Sequence, residues 1–270
     1  MNYELLSNCS FVDFLDCIND AFSDYLLNIH FNEKTLTKFL NDSNVDPNLS
    51  ICAYDDNKII GFILNSKNIY NDELVIFDAG TGVRKAYRGK GVFSSLFVQV
   101  VTKLKENNIH KYYLEVLQNN ERAIKLYTKN GFTIVRNFSV VFYQNAKIVV
   151  NNEFKKMKFN EFKNNNFMNM KHIAPSFENS NKVIEKRNPM VGLDIENKAY
   201  VIFDEESGDI LQIGYESLSS LKDLLSKIIS NYPHVVIKNI DESYSEVIKI
   251  LLSLGFVTVA RQFEMVKDIK

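Results

Sequence analysis

Apolar residues recur along this chain at two periods, and the switches between them lay out its elements. Phe11, Phe14, Leu15, Ile18, Ala21, Phe22 and Tyr25 fall at helical spacing and predict an amphipathic first helix within residues 10–27. Asn32, with Glu33 behind it and Leu36, Phe39 and Leu40 on one face, predicts the cap and body of a second. After a turn at Asp46-Pro47-Asn48, two strand-like runs, 50–54 and 58–64, flank the polar turn 55–57 and predict a hairpin. Residues 74–83 predict a central strand that opens on Leu74, Val75, Ile76 and Phe77 and ends Asp78-Ala-Gly-Thr-Gly-Val83. Glycines inside a strand, here Gly80 and Gly82, mark a bulge or the close approach of a ligand. Val92, Phe93, Leu96, Phe97, Val100, Val101 and Leu104 predict a helix, and 111–117 a strand. A further helix over 120–130 is stopped by Gly131, and strands at 132–135 and 139–143 follow.

Residues 145–169 are polar and rich in Asn and Lys, and read as a connection with one short helix. Beyond them the earlier pattern returns. Val247-Ile-Lys-Ile-Leu-Leu-Ser-Leu-Gly255-Phe256 aligns with Ala123-Ile-Lys-Leu-Tyr-Thr-Lys-Asn-Gly131-Phe132 at a constant offset, and an apolar strand follows each. Val235–Lys238 parallels Tyr112–Glu115, with a helix expected at 218–229 and strands at 199–203 and 209–213. The second half therefore reads as a degenerate copy of the first, with domains 1–145 and 146–270.

Composition narrows the function without choosing it. The 270 residues are 46% hydrophobic and 24% charged, ordinary for a globular protein, and a net charge of −1 argues against a nucleic-acid-binding surface. Three cysteines (9, 17 and 52) lack metal-ligand spacing and fit a reducing compartment. With no signal peptide or membrane-length apolar run to be read, the expectation is a cytoplasmic protein without a membrane partner, a monomer or homodimer.

The chemistry concentrates between residues 79 and 94. A strand, a loop with Gly89 and Gly91 and cations at 84, 85, 88 and 90, and a helix start together make a phosphate or pyrophosphate cradle, because helix N-termini offer unpaired N–H groups. A P-loop needs a glycine-lysine run that is absent. A dinucleotide fingerprint meets only Gly89-x-Gly91-x-x-Ser94, lacking the third glycine and a strand that leads directly into the first. Arg88-Gly-Lys-Gly91-Val-Phe93 resembles the Arg/Gln-x-x-Gly-x-Gly/Ala loop of the GNAT family of N-acetyltransferases. Asn120-Glu-Arg-Ala123-Ile-Lys-Leu-Tyr127-Thr-Lys-Asn-Gly131-Phe132 is similar to the family's second signature, Asn-x-x-Ala-x-x-Leu-Tyr-x-x-x-Gly-Phe, at every specified position. Phe93 departs from the family's small residue, and a side chain of that size fits only if it points inward.

The resemblance, which covers most of 1–145, implies an α/β GNAT fold, a mixed central sheet flanked by helices, in two tandem copies. It implies acetyl-CoA as cosubstrate, no metal, and a small-molecule or peptide amine as acceptor. It places the pyrophosphate on Arg88, Gly89, Lys90, Gly91, Val92, Phe93 and Ser94, and the pantetheine arm along Thr81 and Val83, with Asn120 bonding that arm or a bridging water. Tyr127 corresponds to the family's proton donor to sulfur, and a phenol of pKa about 10 suits that task. Tyr25, His30 and Phe31 would face the acceptor; an aromatic core between two helices is the favoured account of them. Asp78 and Glu73 are candidate general bases, with Glu115 the third choice. The second copy keeps neither the glycine-basic loop, its junction being Gly214-Tyr-Glu-Ser-Leu-Ser-Ser220, nor the tyrosine, replaced by Leu251. Two functions remain: an N-acetyltransferase acting by direct transfer, or a non-catalytic acyl-CoA-binding or regulatory module.

Overall fold

A computed structural model describes residues 1–24, 29–144, 153–164, 170 and 172–270. Two compact units interleave along the chain. The first holds Met1–Leu114, Lys125–Thr133 and Met265–Lys270; the second holds Glu115–Ile124 and Ile134–Glu264.

The first unit contains, in order, β1 (Asn2–Leu5), α1 (Phe11–Phe22), α2 (Glu33–Asp42), β2 (Ile51–Asp55), β3 (Lys58–Tyr70), β4 (Glu73–Val83), α3 (Val92–Glu106) and the start of β5 (Lys111–Leu117). Strands β1 to β4 pair antiparallel in sequence order, and β5 joins β4 in parallel, so its sheet is mixed. Ser10 caps α1 by accepting from the Asp13 N–H, and Asn32 caps α2 as expected, its side chain and that of Thr35 each accepting from the other's N–H at 2.9 Å. Phe14 and Ile18 of α1 and Leu36 of α2 bury against Phe62 and Leu64 of β3, with Phe14 edge-on to Phe62 at 5.3 Å.

Strand β3 runs past the expected end at Leu64 to Tyr70, then turns through Asn71 and Asp72, both at positive φ. Its two buried polar residues, Asn65 and Ser66, are paired. Asn65 donates to the Leu49 carbonyl at 2.6 Å and accepts from the Tyr112 hydroxyl at 2.6 Å, and Ser66 donates to the Ser43 carbonyl.

The remaining elements are α4 (Glu121–Lys129), β6 (Thr133–Gln144), β7 (Lys155–Lys158), α5 (Phe159–Lys163), α6 (Asn181–Ile184), β8 (Met190–Leu193), β9 (Ala199–Phe203), β10 (Ile210–Tyr215), α7 (Leu218–Asn231), β11 (His234–Asp241), α8 (Ser245–Ser253) and β12 (Val257–Asp268). The two strands expected between 132 and 143 are one, β6. The connection expected over 145–169 is described only at 153–164, where it forms β7 and α5. In the second unit β7 to β10 pair antiparallel in order and β11 joins β10 in parallel, the pairing sequence of β1 to β5. Leu221, Leu224, Leu225 and Ile228 of α7 bury against Val201, Phe203 and Ile213.

Unit membership changes within the last strands. Strand β6 follows α4, yet from Ile134 onward it belongs to the second unit, where it pairs antiparallel with β11. Strand β12 follows α8, yet from Met265 its end belongs to the first unit, where the Ile269 N–H donates to the His110 carbonyl at 2.7 Å. No described helix is long and apolar enough to cross a membrane.

Candidate active site

The last turns of β4 and the loop behind it shape a site in the first unit. The register of β4 against β5 comprises Ile76↔Tyr112 and Phe77↔Tyr113, while its pairing with β3 continues to Val83. The strand beyond Phe77, with Thr81 and Val83, is thus held on its β3 side. Asp78 opens this stretch at the bulge in the β3–β4 register. Its Oδ1 accepts from the Gly80 N–H at 3.0 Å, and its Oδ2 from the Thr81 hydroxyl at 2.7 Å and the Tyr127 hydroxyl at 3.4 Å. The side chain retains partial exposure, yet protein crowds it closely enough that desolvation pushes its carboxyl up to about 6, against the opposing pull of those three hydrogen bonds.

Tyr127 reaches this carboxyl from α4. Its ring stands edge-on to Phe93 at 5.8 Å and to Phe132 at 5.6 Å. Phe93 is 7% exposed and stacks on Phe97 at 5.6 Å, so the departure from the family's small residue points inward and forms the bed of the tyrosine. Beneath them Tyr112 is fully buried, and burial, with Asp78 and Tyr127 nearby, drives its phenol well above the ordinary value. Asn65 and Tyr112 belong to the site's support, and sequence reasoning assigned neither to it.

The loop from Arg84 to Gly91 leads into α3. Gly89 and Gly91 lie at φ +77° and +81°, and a Cβ built on either meets nothing within 4 Å. Glycine is therefore needed there for backbone conformation, and the space over both is open. Gly91 is the N-cap of α3 and has no side chain to satisfy the first turn; the first intrahelical bond runs from Ser95 N–H to the Gly91 carbonyl. The N–H groups at the start of α3, over Val92, Phe93 and Ser94, point out of the helix beside exposed Lys90, whose ammonium lies 5.2 Å from the Tyr87 ring. This arrangement suits an anion.

Two of the four cations are committed elsewhere. Arg84 is 5% exposed, donating to the Ile59 carbonyl and to Asp16, each at 2.6 Å. Arg88 forks onto Asp24 at 2.7 and 2.9 Å and donates to the Ala21 and Val83 carbonyls. That bond holds the Asp24 carboxyl below its ordinary value. The Lys85 N–H donates to Asp20 at 3.0 Å. The acids of α1 and its end thus pin the loop, and a row at 16, 20 and 24, one turn apart, was the available signal for it.

Other expected residues have contacts of their own. Glu73, at the far end of β4, is exposed and pairs with Lys111 at 2.6 Å. Glu115 belongs to the second unit, where Oε2 accepts from the Asn239 amide at 2.6 Å. Asn120 also belongs there; its Oδ1 accepts from the Ala123 N–H at 3.2 Å as a helix cap. Phe31 packs on Phe39 at 5.3 Å with its N–H bonded to Asn19, His30 is exposed, and Tyr25 lies outside the described residues.

Residues 8–132 match the model of the Acetyltransferase (GNAT) family. Among solved structures, the chain resembles a GCN5-related N-acetyltransferase from Sphaerobacter thermophilus, with a TM-score of 0.70 at 13% identity, covering 96% of this chain and 92% of that one. It also resembles a GCN5-related N-acetyltransferase from Anabaena variabilis, with a TM-score of 0.60 at 15% identity, covering 100% of this chain and 73% of that one. Both likenesses are of fold. Among curated proteins, none matches the chain by sequence.

Proposed function

We propose that this protein, whose residues 8–132 match the GNAT acetyltransferase family, moves an acetyl group from acetyl-CoA directly onto a primary amine of a small-molecule or peptide acceptor. The observation that carries the reading is the open glycine loop at the uncapped start of α3, in the same unit as Tyr127. Backbone N–H groups of 89–94 would take the pyrophosphate, with Lys90 adding charge. The Arg88 guanidinium shapes the loop, since its donors are engaged with Asp24, Ala21 and Val83. The pantetheine arm would follow β4 at Thr81 and Val83.

In this reading the amine attacks the thioester carbon, and Tyr127 gives its proton to the departing sulfur. The aromatic bed of Phe93 and Phe132 fixes that ring, which keeps the hydroxyl in one place as the reaction proceeds. The second copy, 146–270 in sequence, is a degenerate GNAT-like domain without a cofactor. Free thiol released from acetyl-CoA over a panel of amines and peptides, with calorimetry of CoA binding, tests the assignment. Binding without transfer to any amine would instead make the protein an acyl-CoA-binding module.

A further inference from the structure

Asp78 and Tyr127 touch, although 49 residues separate them in sequence, and their contact bears on where the protons of the reaction go. We propose that the pair is a single proton relay: Asp78 accepts the proton shed by the amine, and its proton passes through the Tyr127 hydroxyl to the leaving sulfur. The inference rests on the acetyl-transfer reading above.

The geometry fixes both partners. The carboxyl is held in plane by the Gly80 N–H on Oδ1 and the Thr81 hydroxyl on Oδ2, and the tyrosine hydroxyl shares that second oxygen. At 3.4 Å the Tyr127 contact is long, as is common for catalytic hydrogen bonds before substrate binds. The groups facing Asp78 are Thr81 on its own strand, Tyr127 from α4 and Tyr112 from β5. The Tyr112 hydroxyl donates to Asn65, so Tyr112 stays neutral and outside the relay. Were Tyr127 to protonate sulfur alone, a phenolate would form against an ionised carboxylate, two like charges in a crowded site. A proton waiting on Asp78 removes that cost.

The atoms balance. The neutral amine attacks the carbonyl carbon, a C–N bond forms, and the nitrogen's proton goes to the Asp78 carboxylate. The tetrahedral adduct collapses, the C–S bond breaks, and its electron pair goes to sulfur. The Tyr127 proton moves to that sulfur as the Asp78 proton moves to the Tyr127 oxygen. Amide and thiol leave, with carboxylate and phenol restored.

A double-mutant cycle on the full chain tests it. Asp78→Asn and Tyr127→Phe should each lower kcat by about 10²-fold or more, and the double variant should be no slower than the slower single one. Wild-type kcat/KM should rise with pH through about 6 as Asp78 ionises, and Asp78→Asn should abolish that limb. Independent of turnover, Tyr127 should titrate at lower pH in Asp78→Asn, followed by NMR of ring-labelled tyrosine with Tyr127→Phe identifying the resonance. Multiplicative losses, or an unmoved titration, overturn the relay and leave acetyl transfer standing. A wild-type protein that binds acetyl-CoA yet transfers to no amine defeats the transfer reading itself, and the relay with it.

Discussion

Helices α3 and α7 occupy corresponding places, each joining a strand to that strand's parallel neighbour, and they begin differently. The chain enters α3 through a long loop whose last residue, Gly91, is left-handed and offers no side chain to the first turn. It enters α7 through Glu216 and Ser217 alone, and the Ser217 hydroxyl accepts from the Ser220 N–H. One helix start is left without a side-chain cap, and the other is closed by its own. The glycines divide the same way. Gly91 is needed for its φ of +81° in empty space, whereas Gly214 is needed for room, since a Cβ there would sit 2.0 Å from the Tyr200 ring. A glycine needed for its backbone conformation and one needed for packing are thus told apart by conformation and surroundings.

The largest expected effect tests the difference on the helices that follow, where Tyr127 stands on α4 and Leu251 on α8. Tyr127→Phe keeps the edge-on contacts with Phe93 and Phe132 and removes only the hydroxyl. General-acid contributions run about 10²–10⁴-fold; coenzyme A is a fair leaving group, its thiol near the ordinary pKa of about 8.5, which places the loss at the low end. Steady-state kinetics should show it in kcat, with the calorimetric Kd for acetyl-CoA unchanged; wild-type turnover would reduce the tyrosine to packing.

Gly91→Val comes next. A β-branched residue at positive φ is strained by about 1–3 kcal/mol, or ~5–150-fold in affinity if the loop relaxes out of its binding shape. Calorimetry should show that loss with an unchanged circular dichroism spectrum, because the added side chain meets open space. The same titration on wild-type protein should give one CoA per chain. Two equivalent sites would erase the contrast between α3 and α7.

What the sequence disclosed was local. Gly89 and Gly91, the helical period of 92–104 and the run from Asn120 to Phe132 each carry their meaning within a few turns, and the structure places those elements accordingly. What it withheld was long-range pairing. Four cations at 84, 85, 88 and 90 read alike until α1 shows two of them bound to Asp16 and Asp24. Asn65 and Ser66 read as the end of a strand because their partners, Tyr112 and Ser43, come from elsewhere in the chain. The pairing of β6 with β11 was equally hidden. Alternation specifies a strand, and two strands with the same pattern do not say which sheet edge takes which.

Gly214→Ala sharpens the contrast from the packing side. Overpacking typically costs about 1–3 kcal/mol, and here the clash is with a buried aromatic ring, so denaturant unfolding should shift toward lower midpoint. Acetyl-CoA affinity should not change, since α7 holds no open loop.

The smallest effect is expected at Ser217, and it is the closest counterpart of Gly91. Its hydroxyl accepts from the Ser220 N–H at 3.4 Å and contacts the Ser219 hydroxyl at 2.7 Å. The first bond is long and the site exposed, so Ser217→Ala should cost about 0.5–1 kcal/mol, the lower part of the range for lost caps. For a chain of this size that is roughly 1–4 °C in melting temperature, readable by calorimetric scanning if unfolding is reversible. The α7 start then has an unsatisfied N–H, as α3 does, but no left-handed glycine ahead of it. If an uncapped helix start were enough to hold a pyrophosphate, the variant would gain a second, weak CoA site. The expected stoichiometry stays at one, because the loop geometry at Gly89 and Gly91, and not the bare helix terminus, makes the cradle.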